Sequence, residues 1–210
     1  MSKLRVLVGC EYSARVRDAF RQRGFDAWSC DFEPCERDPQ WHIQGDLLEI
    51  LSDGWGLAIF HPTCTYATNS GVCHLHKDPT RWPKLFDSMA FMRTLLDAPI
   101  PHIAMENPIM HKYARALLGG RRPDQIVQPW MFGHKEQKAT GLWLKNLPKL
   151  QPTENVKEAM MLLPDNERQR LHYLPPGPNR WKERSRTFQG IAQAMAGQWG
   201  DYITPKAEAA

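Results

Sequence analysis

Cys64 and Glu106 are the residues whose types and settings point most directly to chemistry. Cys64 follows Leu57-Ala58-Ile59-Phe60, an apolar run that reads as a short buried strand, and then His61-Pro62-Thr63. Pro62 has no N–H and a fixed φ, so the chain leaves the sheet stiffly and the cysteine is held near the strand's C-terminal end. In an α/β sheet, ligands bind at that edge. A thiol there is a candidate nucleophile if its surroundings favour the thiolate. A packed loop cysteine is the plainer reading of the same residue. Glu106-Asn107-Pro108 ends a later apolar run, Ile103-Ala104-Met105. If the two strands are neighbours, thiol and carboxyl face one cleft, and a nucleophile paired with a carboxyl acid is the core of a mechanism.

The elements that would hold these residues alternate. Leu4-Arg5-Val6-Leu7-Val8 is a strand followed by Gly9, with Ser13 as the expected N-cap of a helix carrying Ala14, Val16, Ala19 and Phe20 and stopping at Gly24. Asp26-Ala27-Trp28-Ser29-Cys30 is a second strand ending at Asp31, and His42-Ile43-Gln44 a third ending at Gly45-Asp46. Residues 83–97 form a helix with Phe86, Met89, Ala90, Met92 or Arg93, Leu95 and Leu96 on its apolar face; a short helix at 113–118 is closed by Gly119-Gly120. Gln125-Ile126-Val127 and Thr140-Gly141-Leu142-Trp143-Leu144 read as late strands, and residues 191–199 as a final helix. This alternation predicts an α/β, Rossmann-like fold: a mostly parallel sheet with helices on both faces. One domain over 1–204 is expected, with a Pro-rich flap or insertion at about 146–180 and a frayed tail at 205–210.

Four strands end in polar or acidic residues: Gly9-Cys10-Glu11, Asp31, Asp46 and Glu106-Asn107. An acid after the second strand of such a sheet commonly holds ribose hydroxyls. One after the third could accept from an adenine amino group. Gly9 would let a ligand approach the backbone. A nucleotide-like cofactor is the joint reading, and solvated surface acids the plain one.

Composition narrows the class. With 210 residues the chain can bury a full core. No apolar run reaches 18 residues, so no membrane span is expected, and the start Met1-Ser2-Lys3-Leu4-Arg5 reads as entry into a strand, not as a signal peptide. Five cysteines without small-scaffold spacing read as reduced thiols in a cytoplasm. The net charge of +4 permits a polyanionic partner without requiring one. His61, Cys64, Cys73, His74 and His76 are close in sequence, but Cys73 and His74 are adjacent and no Cys-x-x-Cys pair exists, so no metal site is assigned. Arg180, Lys182, Arg184 and Arg186, with Trp181 among them, suit a phosphate backbone or a solvated loop equally. Trp28 and Trp55 could flank a cofactor; the tryptophans at 82, 130, 143, 181 and 199 read as core or hinge plugs.

The order of these segments resembles the cytosine-C5 DNA methyltransferase family. The resemblance is carried by the strand, Gly turn and helix from Val6 to Phe20, by Asp31 and Asp46, by Pro62-Thr63-Cys64 with one residue inserted in the Pro-Cys motif, and by Glu106-Asn107-Pro108. Gly190-Ile191-Ala192-Gln193-Ala194 resembles the family's late motif. More closely, the chain resembles small phage-encoded proteins of this type, through His61 to Tyr66 and Val127 to His134. It departs from the family in having a lone Gly9 in the first motif and no clean Gln-x-Arg-x-Arg, where Lys138 stands as a substitute. The resemblance implies S-adenosyl-L-methionine as cofactor and cytosine-containing DNA as substrate, in a (host) cytoplasm. It implies Cys64 as nucleophile adding to C6, a protonated Glu106 on N3 with its pKa raised by burial, and Asn107, Pro62 and Lys138 in support. The implied cofactor set is Gly9, Cys10, Glu11, Tyr12, Ser13, Asp31, Phe32, Asp46 and His61, with Arg180, Lys182, Arg184 and Arg186 on nucleic acid. The alternatives are a non-catalytic nucleic-acid- or nucleotide-binding module and an enzyme of free cytosine nucleotides. Oligomeric state is left open.

Overall fold

A computed structural model describes residues 4–204. The tail expected to fray, 205–210, lies outside the described residues, as do the first three positions. Seven strands form one sheet: β1 (Arg5–Gly9), β2 (Asp26–Asp31), β3 (His42–Gln44), β4 (Leu57–Phe60), β5 (His102–Pro108), β6 (Gln125–Val127) and β7 (Thr140–Lys145). Their order is β3-β2-β1-β4-β5-β7-β6. The strands from β3 to β5 run parallel, and β7 is antiparallel to both β5 and β6. The order reverses between β1 and β4, and there the crossovers diverge and leave a crevice at the strands' C-terminal ends. Cys64 follows β4, and Glu106 lies in the last three residues of the neighbouring β5, which continues to Pro108.

Strand side chains alternate between faces, so the sheet has two cores. On one face Leu7, Ala58, Phe60, Ile103 and Met105 pack against Leu85, Met89, Met92 and Leu95 of α3 (Arg81–Leu96), preceded by the short α2 (Val72–Lys77). Phe86, expected on that apolar face, is 50% exposed; its place is taken by Leu85. On the other face Val6, Val8, Leu57 and Ile59 meet Val16, Ala19 and Phe20 of α1 (Arg15–Gln22) and Ile191, Met195 and Trp199 of the final helical run. After α4 (Lys112–Leu117), the segment between β7 and that run carries α5 (Lys157–Met161), α6 (Asp165–Arg168), α7 (Arg170–Tyr173) and α8 (Arg180–Ser185). The final run is α9 (Gln189–Ala194), a π-turn over Met195–Trp199, and α10 (Gly200–Ile203). Its Trp199 Nε1 donates to the Pro148 carbonyl at 2.9 Å, and Gln198 and Gln151 exchange two hydrogen bonds, anchoring the start of the Pro-rich segment.

Ser13 is not the cap of α1. The cap position is Ala14, in the left-handed region at φ 57°. The capping group is the Glu11 carboxylate, which accepts from the Val16 N–H at 2.8 Å and the Arg17 N–H at 3.2 Å. Ser13 Oγ in turn donates to Glu11 at 3.3 Å. A carboxylate at a helix start also meets the positive end of its dipole.

Candidate active site

A cleft of about 780 Å³ opens at the C-terminal ends of β1, β2, β4 and β5. Its catalytic half is built from the loop after β4 and the end of β5. The His61 N–H donates to the Gly9 carbonyl at 2.9 Å and continues the parallel ladder. Pro62 ends it; its carbonyl accepts from Asn107 Nδ2 at 2.9 Å, so a fully buried side chain ties the end of β5 to the loop after β4. The Cys64 carbonyl then accepts from the Ala67 and Thr68 N–H groups, fixing the turn that carries the thiol. Asn107 and Pro62 thus hold the relation between Cys64 and Glu106 through backbone and amide; Pro62 lines the cleft, and Asn107 lies behind it.

The electrostatics of the pair differ from expectation. Burial would raise the Glu106 carboxyl, but His61, whose Nδ1 donates to Oε2 at 3.3 Å, together with the Lys138 charge and Thr140, holds it below the usual carboxylate range. An acid protonated at neutral pH by burial alone is therefore not what the resting site contains. The Cys64 thiol is pushed up, first by burial and then by the Glu106 charge, with Lys138 and Arg184 opposing. Lys138 Nζ donates to the Arg184 carbonyl at 2.9 Å, so the cation stands between the β6–β7 connection and the end of α8.

The other half lies beyond the ends of β1 and β2, and several residues expected to hold a cofactor there are occupied otherwise. Gly9 lies outside the cleft lining. A Cβ on it would stand 2.5 Å from a Leu47 methyl and 2.7 Å from the Phe60 ring, so packing, not ligand approach, requires the glycine. Glu11 lines the wall with its carboxylate capping α1. Asp46 Oδ1 accepts from the Leu48 N–H at 2.9 Å and starts a 3₁₀ turn, outside the lining. Phe32 leaves its ring 72% exposed, also outside it. Cys10, Tyr12, Ser13, Asp31 and His61 do line the cleft. Cys10 is left-handed at φ 58°, and burial and the Asp31 charge push its thiol up. Asp31 accepts from the Glu33 N–H at 3.0 Å, and burial raises its carboxyl.

Residues 172–187 close the remaining side. Tyr12 Oη donates to the Lys182 carbonyl at 2.6 Å and its ring meets Trp181 at 5.6 Å. Three of the four cations expected on phosphates are occupied by this closure. Arg180 donates to the Leu174 and His172 carbonyls, Lys182 pairs with Glu33 at 3.1 Å, and Arg186 grips Glu36 with two nitrogens and Glu183 with another. Lys182 and Arg186 join α8 to the loop after β2, and Arg180 ties α8 to the segment before it. Arg180 and Arg184 line the cleft.

Sequence reasoning missed Trp181, Arg81 and Thr187 as lining residues, and Thr140 as a buried neighbour of the Glu106 carboxyl. Thr140 had a signal: it lies two residues after Lys138, on β7 opposite Pro108. Trp55 is buried with its N–H on the Ile50 carbonyl, and Trp28 packs edge-on against Trp41, so neither flanks the cleft. No group of three or more metal-ligating side chains occurs among the described residues. No helix among them is long and apolar enough to cross a membrane.

The fold is α/β and Rossmann-like, a mostly parallel seven-stranded sheet packed on both faces. No protein-family model and no curated protein matches the chain. Among solved structures it is similar to an Escherichia coli protein described as a DNA modification methyltransferase encoded within a prophage, at 17% identity, 77% coverage of this chain and 56% of the other, with a TM-score of 0.45. It is also similar to the Entamoeba histolytica methyltransferase EhMeth, at 14% identity, 74% and 58% coverage, and a TM-score of 0.46. The chain spans somewhat over half the length of these structures.

Proposed function

We propose that this protein is an S-adenosyl-L-methionine-dependent methyltransferase that modifies cytosine at C5, in DNA, through a covalent adduct at Cys64. The observation that carries the reading is the convergence of the Cys64 thiol and the Glu106 carboxyl on one cleft, the Cys64 loop tied to β5 by the Asn107–Pro62 hydrogen bond. The donor set of the other half fits the cofactor: Asp31 keeps acceptor capacity for a ribose hydroxyl at the end of β2, and Cys10 to Ser13 form a turn beside it. When bound there, the cofactor supplies an electrophilic methyl group to C5.

The residues of the chain do the rest. Cys64, as thiolate, adds to C6 of the base. Glu106 presents a proton to N3 as negative charge develops there, and Asn107 keeps the two groups in register. A base takes the C5 proton, its electron pair re-forms the C5–C6 double bond, the Cys64 sulfur leaves as thiolate, and N3 returns its proton to Glu106. In duplex DNA the cytosine must first be flipped out of the stack. DNA as substrate rests on the sequence resemblance. The pairing of Arg180, Lys182 and Arg186 within the protein favours, as a second reading, turnover of free cytosine nucleotides.

Incubation with DNA and methyl-labelled cofactor, followed by mass spectrometry of the nucleosides, should yield labelled 5-methylcytosine. Label on free nucleotides alone would select the second reading. No label in either pool would refute both.

A further inference from the structure

We propose that the face built by α2, the start of α3 and the start of α4 is a platform for single-stranded DNA, on which bases beside the target cytosine stack while cations hold the phosphates. It rests on the methylation reading above and narrows the substrate to an unpaired strand. Four ring side chains meet on this face. Trp82 packs edge-on against Tyr113 with ring centroids 5.1 Å apart, and Phe86 lies 6.3 Å from Trp82 at a 39° tilt. His76 stands 6.1 Å from Trp82 and 5.6 Å from Tyr113. A cluster that served only the core would be covered, but Phe86 is 50% exposed and His76 is exposed as well. The face runs into the catalytic half of the cleft, because His74 of α2 and Arg81 of α3 line it. Rings open to solvent can stack a base of any identity. Paired bases in a duplex are stacked on one another and offer no such face.

The cations beside the rings suit phosphates. Arg81 holds its guanidinium 4.8 Å over the Tyr66 ring, two residues beyond Cys64, and Lys112 holds its ammonium 5.0 Å over Tyr113. Neither forms an ion pair with a carboxylate among the described residues, and neither does Arg115 of α4. The Nε atoms of Arg81 and Arg115 are buried without a hydrogen-bond partner. Asp78, the acid between α2 and α3, is engaged locally: its Oδ1 accepts from the Thr80 hydroxyl at 2.6 Å and from the Thr80 N–H at 3.0 Å. On α8 the case is reversed, with Lys182 and Arg186 already paired to Glu33 and Glu36. A strand leaving the cleft therefore meets unpaired cations beside Cys64 and not along α8. Phosphate contacts from such side chains position a strand without reading its sequence.

The test is binding, measured by fluorescence anisotropy on the protein alone. The probes are a short labelled single-stranded oligodeoxynucleotide containing cytosine and the same strand annealed to its complement. The single strand should bind about tenfold or more tighter than the duplex. Phe86→Ala should weaken the single strand by about tenfold, the scale of one lost base stack, and keep the melting temperature because the ring is half exposed. Phe86→Tyr, which keeps a stacking ring, should stay within about twofold of the wild type. Lys112→Gln should reduce the slope of log affinity against log salt by about 0.7, one phosphate contact on a single strand. Duplex bound as tightly as the single strand, or equal affinity in Phe86→Ala and the wild type, would overturn the proposal. So would a dimer in sedimentation that Phe86→Ala dissolves, since the rings would then belong to an interface with a second copy. Phe86-dependent binding in a protein that methylates no DNA would keep the platform and refute the function. Methylated DNA with unchanged affinity in Phe86→Ala would do the reverse.

Discussion

The two halves of the cleft use their polar residues differently. At the ends of β4 and β5, Cys64, His61 and Glu106 line open space, and their support comes from a buried amide and a backbone carbonyl. At the ends of β1 to β3, Gly9 is closed over by Leu47 and Phe60, Glu11 caps α1, Asp46 caps a 3₁₀ turn and Tyr12 holds α8. One half presents functional groups; the other builds a wall and leaves Asp31 as its main free acceptor. A polar residue at a strand end is therefore a candidate for binding only after its backbone obligations are met.

The largest expected effect lies in the first half. Cys64→Ser should lower methylation at least about a thousandfold, the scale on which loss of a nucleophile acts. Cofactor affinity by calorimetry should change less than about twofold. Residual activity near wild type would move the nucleophile elsewhere and dissolve the distinction between the halves.

The next effect is on pH dependence. The reacting state needs thiolate and carboxylic acid, while burial and Glu106 raise the thiol, and His61, Lys138 and Thr140 outweigh burial to depress the carboxyl. Both states hold the same number of protons, so the rate should show a broad plateau. Its acid limb should fall below the ordinary carboxylate pKa, about 4.3, and its alkaline limb above the ordinary thiol value, about 8.5. The Lys138 charge lowers both groups, so Lys138→Met should move both limbs to higher pH. Limbs that stay in place would place Lys138 outside the pair's electrostatics.

β1, β4 and β5 were readable in the sequence as short apolar runs followed by Gly, Pro or an acid; β3, β4 and β6 match the expected residues at both ends. The Cys64–Glu106 meeting followed from strand adjacency alone. The roles of Glu11 and Ser13 did not, because the helix start depends on the left-handed turn at Ala14. The α2 helix was missed because Val72–Lys77 is short, and only Leu75 is buried. The engagement of Arg180, Lys182 and Arg186 was unreadable for another reason. Their partners Glu33 and Glu36 lie about 150 residues away in sequence, or are carbonyls in the same loop.

Within the second half, Asp31 and Glu11 should separate. Asp31→Ala should weaken S-adenosyl-L-methionine binding by about tenfold or more, as loss of a hydrogen bond to a charged group does, with little change in melting temperature. Glu11→Ala removes the cap of α1 and should cost about 1–2 kcal/mol of stability. That corresponds to roughly 2–8 °C in a domain of this size. The opposite assignment, affinity lost at Glu11 with the fold unmoved, would show that the carboxylate leaves its cap to bind ligand.

The smallest effect is expected at Asp46. Its Oδ1 accepts from the Leu48 N–H at 2.9 Å, and a carboxamide oxygen can accept in the same place. Asp46→Asn should therefore keep stability within about 0.5 kcal/mol, since Asn and Asp cap about equally well. Asp46→Ala should lose about 1 kcal/mol. The charge is the one property that separates the first variant from the wild type, and a hydrogen bond to a bound adenine amino group is where that charge would matter. Calorimetry on Asp46→Asn thus decides between a cap and a ligand. Cofactor affinity within about twofold keeps Asp46 among the wall builders. A loss near the 1.5–3 kcal/mol of a charged hydrogen bond, about tenfold or more, would return it to the binding set. The two halves would then differ less in kind than the present geometry indicates.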